Sequence, residues 1–249
     1  MSALLKINDL WGGYTEGVDI LRGISMEVQQ GEAVGIIGLN GSGKSTYGKA
    51  IMNMIPIRRG EILFDGEDIT ALSTSQLAHR GISIMQQGGR VFPNLSVWDN
   101  LQLAAQASNS QFSARPKDAC YQRDARILNS QLAELVPLLK RPRNELQHLM
   151  ADKLSGGQKH QLSLAMALAT NPRLVILDEP SAGLSPKAVE EMYQMLRDVR
   201  SKLNVTIILI EQNIAKAIEF CDRNQIISSG VIKEHNIKDF YECKSLIFN

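Results

Sequence analysis

A chain of 249 residues with 27 basic and 26 acidic side chains has a formal charge of only +1. That balance gives no electrostatic case for nucleic acid or an anionic membrane as partner, while the length suffices to bury a sizeable core in one large domain or two smaller lobes. No apolar run approaches the ~18 residues of a membrane-spanning helix. Met1–Lys6 lacks the basic segment and long apolar stretch of a secretory signal, so a cytoplasmic location is expected. Cys120, Cys221 and Cys243 lie far apart and predict reduced thiols rather than a metal site.

Residues 3 to about 87 read as strands and turns. Within them, Ala33–Ile37 is a short apolar run of the kind that forms a buried strand. It leads into Gly38-Leu39-Asn40-Gly41-Ser42-Gly43-Lys44-Ser45-Thr46, which fills every fixed position of a phosphate-binding loop: Gly, four free residues, then Gly-Lys-Ser/Thr. A helix over Thr46–Asn53 is predicted to follow. The glycines let successive backbone N–H groups turn inward, and the helix N-terminus adds partial positive charge, so the loop suits a polyphosphate. Lys44 is placed to reach the β- and γ-phosphates of a nucleoside triphosphate, and the Ser45 hydroxyl to ligate magnesium. Glu61–Phe64 reads as a strand ending at an Asp65-Gly66 turn.

From about residue 88 to 153 the pattern becomes helical. Apolar residues recur at helical spacing over Val97–Ala105 and Ile127–Leu139, separated by a polar loop or insertion, Ser108–Lys117. Leu154-Ser155-Gly156-Gly157-Gln158 then opens a helix predicted over Gln158–Thr170 and stopped by Asn171-Pro172. Leu174–Asp178 reads as a parallel strand that delivers a carboxylate to the sheet's carboxyl edge, where open α/β sheets bind ligands. Asp178 is placed to hold magnesium, and Glu179 to orient or deprotonate an attacking water. Val205–Ile210 is a second β-branched strand, and Ile226–Ile232 reads as a hairpin.

The phosphate loop combined with Leu154–Gln158 resembles the ATP-binding subunits of ABC transporters, over essentially the whole chain. The resemblance implies an α/β P-loop ABC ATPase fold in a single domain, 1–249. Its RecA-like core and N-terminal antiparallel β-subdomain would occupy about 1–87 and 154–249, and a helical subdomain about 88–153. It further implies two subunits meeting head to tail, with ATP and Mg2+ as ligands. In each, Gly38, Asn40, Gly41, Ser42, Gly43, Lys44, Ser45 and Thr46 would hold an ATP over which Ser155, Gly156, Gly157 and Gln158 of the other subunit close. A helix-capping role alone would account for Ser155 but not for the full pentapeptide. Tyr14 falls where the family stacks an aromatic ring on adenine, with Trp11 as the alternative. Gln87, five residues before Phe92 and beside Gln86, matches the glutamine that contacts magnesium and the attacking water.

Three positions depart from the family pattern: Met166 replaces arginine, Ser185 replaces an aspartate at the dimer-crossing loop, and Gln212 replaces histidine. Gln212 still donates a hydrogen bond to a γ-phosphate but does not titrate. Ile210-Glu211-Gln212-Asn213, with Gln87–Pro93 and Gly183–Pro186, resembles the second ATPase of importers for branched-chain amino acids, or for urea and short amides. The implied partners are transmembrane permeases and a second ATPase subunit, either another copy or a sister chain. A periplasmic binding protein would act indirectly, nucleic acid would play no part, and the chain would sit peripherally on the cytoplasmic face of the inner membrane. Permease docking is expected along about Gln87–Leu101, with Phe92, Leu95 and Trp98 as its apolar part. Of the rival classes, a soluble ABC ATPase acting on a macromolecule would bring tandem domains or coiled-coil insertions. A P-loop nucleotide kinase would lack Leu154–Gln158 and have little need of Glu179.

Overall fold

The computed structural model of the chain describes residues 3–106, 130–237, 239 and 245. From the N-terminus, β1 (Leu5–Gly12) and β2 (Leu21–Val28) precede β3 (Ala33–Ile37), which runs into helix α1 (Lys44–Ile51). Then come β4 (Ile57–Phe64), β5 (Glu67–Asp68), α2 (Thr74–His79) and β6 (Ile82–Met85). The helical region holds α3 (Val97–Gln106), α4 (Ser130–Leu135) and α5 (Arg143–His148). After it follow α6 (Gly156–Leu168), β7 (Leu174–Asp178), α7 (Pro186–Leu203), β8 (Thr206–Glu211), α8 (Ile214–Phe220), β9 (Arg223–Ser228) and β10 (Val231–Ile237).

The strands form two sheets. One is antiparallel, in the order β2-β1-β4-β5. The other has the order β10-β9-β3-β8-β7-β6 and is parallel except at β10, which pairs antiparallel with β9. Every residue of β3, β7 and β8 is buried, as expected of parallel strands covered on both faces. Their alternate side chains divide between two cores. Val34, Ile36, Ile176, Ile208 and Ile210 pack with α1 and the antiparallel sheet. Ala33, Ile37, Val175, Leu177, Ile207 and Leu209 pack with the helices on the other side. The parallel sheet is thus the middle layer, and its carboxyl edge is held from both faces.

The predicted strands Ala33–Ile37 and Leu174–Asp178 have those bounds in the structure, and the predicted helix at 46–53 lies at Lys44–Ile51. The helix expected over Ile127–Leu139 does not run through. Helix α4 ends at Leu135, Val136 is extended (φ −105°, ψ 108°), and a 3₁₀ turn covers Pro137–Lys140. Pro137 is the cause, because its ring disfavours helical geometry at the preceding residue and it has no N–H to give. The polar segment Ser108–Lys117, Cys120 and Cys243 lie outside the described residues. Cys221 carries a free, largely buried thiol whose pKa burial pushes up, with the Asp222 charge adding to the shift.

Trp98 corrects the expected docking face. It is only 3% exposed, in the core with Val97 and Leu101, and the Arg143 guanidinium lies 4.4 Å from its ring centroid. Apolar residues at helical spacing in α3 mark its buried side, and Trp98 is on that side. Phe92, by contrast, is 52% exposed.

The β9–β10 hairpin turns through Ser229 (φ 49°) and Gly230 (φ 76°), the two left-handed residues that a two-residue hairpin turn demands. This turn also touches the phosphate loop: the Gly230 N–H donates to the Ser42 carbonyl at 2.8 Å, and the Arg22 N–H donates to the Gly230 carbonyl at 2.8 Å. A Cβ at Gly230 would stand 1.6 Å from the Ile20 carbonyl oxygen. Gly230→Ala therefore combines left-handed strain with a backbone clash. We expect a loss of at least about 2–3 kcal/mol and a fall in melting temperature of roughly 5–10 °C, with weaker ATP binding because Ser42 loses its support. A thermal melt with and without ATP checks both; an unchanged melting temperature would contradict the packing described.

Candidate functional site

Strand β3 ends at Ile37, and the chain turns through 38–43 into α1. Gly43 (φ 105°) is the N-cap of α1, no side chain caps the helix, and its first turn holds no acidic residue. The N-terminal N–H groups are thus left without a competing anion. Asn40 and Gly41 are exposed, Thr46 is buried, and the Ser42 Oγ is buried with no hydrogen-bond partner among the described residues. Lys44 is 4% exposed, and its Nζ donates to the Gly38 carbonyl at 2.7 Å and the Leu39 carbonyl at 2.9 Å. Burial lowers the Lys44 pKa, opposed by the charges of Glu179, Asp178 and Glu211.

The Ser45 Oγ donates to Asp178 Oδ1 at 3.0 Å, joining the first turn of α1 to the end of β7. A hydroxyl beside a carboxylate is an oxygen donor set of the kind magnesium takes. Among the described residues no group of three or more His, Cys, Asp or Glu forms a metal site of its own. Burial raises the Asp178 pKa, against the pull of Ser45, Lys49 and Lys44.

Glu179 sits one residue beyond β7 in a left-handed conformation, φ 48°, with its N–H donating to the Ile210 carbonyl at 2.9 Å. For a non-glycine residue this costs about 1–3 kcal/mol, and such strain collects at functional sites. Gln87 Nε2 donates to Glu179 Oε2 at 2.6 Å, while its neighbour Gln86 lines a separate groove. Burial raises the Glu179 pKa; Lys44 opposes the shift, Asp178 and Glu211 add to it, and the Gln87 bond opposes it. Asp178, Glu179, Gln87, Lys44 and Ser45 are thereby brought together.

Gln212 follows β8 directly and is exposed; with Glu179, Ser181 and Glu211 it lines a hollow of about 300 Å³. Helix α8 is capped by Asn213, whose Oδ1 accepts from the Lys216 N–H at 3.2 Å, so Gln212 is left free of that task. The residue that sequence reasoning missed is Glu211. It is 2% exposed and accepts four hydrogen bonds, from the Ser181 and Tyr193 hydroxyls and the N–H groups of Gln212 and Asn213. Its sequence signals, a charge at the end of an apolar run and a place in Ile210–Asn213, gave no hint of these partners.

Tyr14 is 51% exposed, beside the phosphate-loop helix: Lys49 Nζ donates to its hydroxyl at 3.2 Å and lies 5.4 Å from its ring centroid. Trp11 is engaged elsewhere, its Nε1 donating to Asp9 Oδ1 at 2.8 Å with the Arg59 guanidinium 5.8 Å from its ring. Ser155 caps α6 in a reciprocal box: its Oγ accepts from the Gln158 N–H at 3.3 Å, and Gln158 Oε1 accepts from the Ser155 N–H at 3.0 Å. Capping therefore accounts for Gln158 as well as Ser155, more than the sequence suggested. What remains for a ligand is the open side at the glycines: a Cβ at Gly156 would meet nothing within 4 Å, and one at Gly157 only Ala188 Cβ at 3.8 Å. Ser185 caps α7, its Oγ accepting from the Ala188 N–H at 3.4 Å, with Pro186 in the first turn.

An open, mostly parallel sheet whose carboxyl edge joins a phosphate loop to an Asp-Glu pair defines a P-loop ATPase, and Leu154–Gln158 at the start of α6 marks it as one of the ABC class. The model of the ABC transporter family matches residues 21–182, and the chain belongs to that family. It is 31% identical over 223 residues to the high-affinity branched-chain amino acid transport ATP-binding protein BraG of Pseudomonas aeruginosa, covering 90% of this chain and 88% of that one. It is 33% identical over 227 residues to a probable branched-chain amino acid transport ATP-binding protein, LivF, of Archaeoglobus fulgidus, covering 91% and 89%. It is also 30% identical over 236 residues to the lipopolysaccharide export system ATP-binding protein LptB of Escherichia coli, covering 94% and 90%. Among solved structures, cbiO1 from Clostridium perfringens, part of the ABC transporter complex cbiONQ, has the same fold. Its TM-score is 0.76 at 26% identity, covering 98% of this chain and 92% of that one.

The raised pKa of Asp178 has a consequence for stability. A carboxyl favoured as the neutral acid in the fold contributes stability that is present below its ordinary pKa of 3.8 and lost as pH rises through the raised value. At pH 8 the ionised, buried Asp178 thus opposes folding of the nucleotide-free protein. Asp178→Asn, which keeps an oxygen for Ser45, should melt higher than wild type at pH 8 in chelator, with the difference vanishing toward pH 4. A variant less stable than wild type at pH 8 would contradict this.

Proposed function

We propose that the chain is the ATP-hydrolysing subunit of an ABC importer, one of two that hold ATP between them. The observation that carries this reading is the pairing of Ser45 with Asp178 and of Gln87 with Glu179 beside an uncapped helix N-terminus. Gly38, Asn40, Gly41, Ser42, Gly43 and Thr46 cradle the phosphates, with Lys44 facing the β- and γ-phosphates and Tyr14 stacking on adenine. Ser45, Asp178 and Gln87 would hold Mg2+, which when bound neutralises phosphate charge. Glu179 takes a proton from the water that attacks the γ-phosphorus as the bond to the β–γ bridging oxygen breaks. Gln212 donates to the γ-phosphate. Ser155, Gly156, Gly157 and Gln158 close on the nucleotide of the second subunit.

Coupling to a membrane partner is supported by a groove of about 500 Å³ whose lining includes Met52, Met54, Gln86, Phe92 and Met166. An apolar permease helix seated there would press on Gln86 and, through the next residue, on the Gln87 contact with Glu179. Met166, in place of the family's arginine, adds apolar surface to this groove. No helix among the described residues is long and apolar enough to cross a membrane, so this reading puts the chain peripherally on the cytoplasmic face beside permeases, a binding protein acting from the other side. The likeness to BraG and LivF, with Gln212 at the histidine position, supports branched-chain amino acids as cargo. LptB, similar over as much of the chain, serves a lipopolysaccharide export system, so cargo is set by the partners rather than by this site.

Replacing Glu179 with Gln keeps size and hydrogen bonding but removes the base. Turnover should fall at least about a hundredfold, while ATP with magnesium shifts the variant from monomer to dimer on gel filtration. Lys44→Ala should lose about tenfold or more in turnover without gaining that dimer. Undiminished hydrolysis by either variant would overturn the assignment.

A further inference from the structure

Glu211 does not belong to the set that binds ATP in the reading above, yet it is the most fully satisfied buried carboxylate at the sheet edge. Its two oxygens divide their work. Oε1 accepts from Ser181 Oγ at 2.5 Å and from the Tyr193 hydroxyl at 3.0 Å. Oε2 accepts from the N–H groups of Gln212 at 2.9 Å and Asn213 at 3.0 Å. One rigid carboxylate plane therefore spans two separate loops. Ser181 belongs to the loop that leaves Glu179 and leads to α7 through Ser185. Gln212 belongs to the turn between β8 and α8.

A buried charge is tolerated only while its hydrogen bonds are kept. If the Ser181 loop moves away, Oε1 of the 2% exposed Glu211 loses one of its two donors, so the loop and the Gln212 turn favour moving together. We propose that Glu211 is a positioning residue that makes these two loops one unit. A movement of the Ser181 loop would thereby shift Gln212 relative to the γ-phosphate. Glu211 itself touches no substrate. The inference rests on the proposed ATPase site and adds to it a link, within one chain, between the Ser181 loop and the Gln212 turn.

Ser181→Ala breaks the link at its partly exposed end and leaves Glu211 its other three donors. We expect turnover to fall about tenfold, with KM for ATP within about twofold and the melting temperature nearly unchanged. Ser181→Thr, which restores the hydroxyl, should recover most of the rate. Glu211→Gln keeps the pattern, its amide oxygen facing the two backbone N–H groups and its NH2 donating to the two hydroxyl oxygens, so it should retain more activity than Glu211→Ala. Three results would overturn the coupling: Ser181→Ala turning over at the wild-type rate, Ser181→Thr as slow as Ser181→Ala, or KM rising in step with the loss of rate. Should Glu211→Ala fail to fold, the Ser181 pair still decides. A wild-type protein without ATPase activity would instead sink the site reading, and the coupling with it.

Discussion

The register of the parallel sheet is the constraint on which the site depends. Ile37 pairs with Glu211 and Asp178 with Ile210, so the phosphate loop, the Asp178-Glu179 step and the Glu211-Gln212 step leave adjacent strands at one edge. Because β3, β7 and β8 are buried on both faces, a slip of one residue would exchange the side chains of the two cores and carry every group off the edge. The hydrophobic effect thus sets the geometry of the chemistry, and the polar contacts refine it. Ser45 to Asp178 and Gln87 to Glu179 are direct hydrogen bonds between groups far apart in sequence, possible only where the strands already end together.

That edge is held at some cost. Asp178, Glu179 and Glu211 crowd one buried region, burial and mutual repulsion raise the first two pKa values, and Glu179 keeps a left-handed backbone. Lys44 opposes the crowding but is itself desolvated. Such an arrangement is poorly stabilised by its own charges and suits a polyphosphate with its counter-ion, which supply what the protein alone lacks. The remainder of the fold compensates: two packed cores, capping boxes on α2 and α6, and the Gly230 turn against Ser42. Instability is concentrated where the ligand acts.

Continuous apolar runs before a glycine-rich loop or an Asp-Glu pair made β3 and β7 legible to the residue, and the motifs placed Lys44, Ser45, Asp178 and Glu179 at their edge. Spacing to Phe92 singled out Gln87 from Gln86, and the structure brings Gln87 to Glu179. What sequence hid was long-range or face-dependent. Glu211 finds Ser181 and Tyr193 thirty and eighteen positions away, and no local pattern encodes that. Trp98 shows that an apolar helical stripe marks a face to be buried without saying whether the chain's own core or a partner covers it. Pro137 interrupts a helical period that apolar spacing alone carries through. Gln158 has a local role, the capping box, that family motif reading passes over.

The central claim is that each ATP site is built from two chains, the phosphate loop of one and residues 155–158 of the other. A mixing experiment tests it. Lys44→Ala disables the loop but leaves Ser155 intact; Ser155→Arg blocks the open helix start but leaves Lys44 intact. With random pairing in an equal mixture half of the dimers are mixed, each with one whole site of two. For independent sites turnover should therefore return to about a quarter of wild type, and to more where the mixed dimer alone closes on ATP. Turnover no greater than the sum of the two variants measured apart would contradict the shared site.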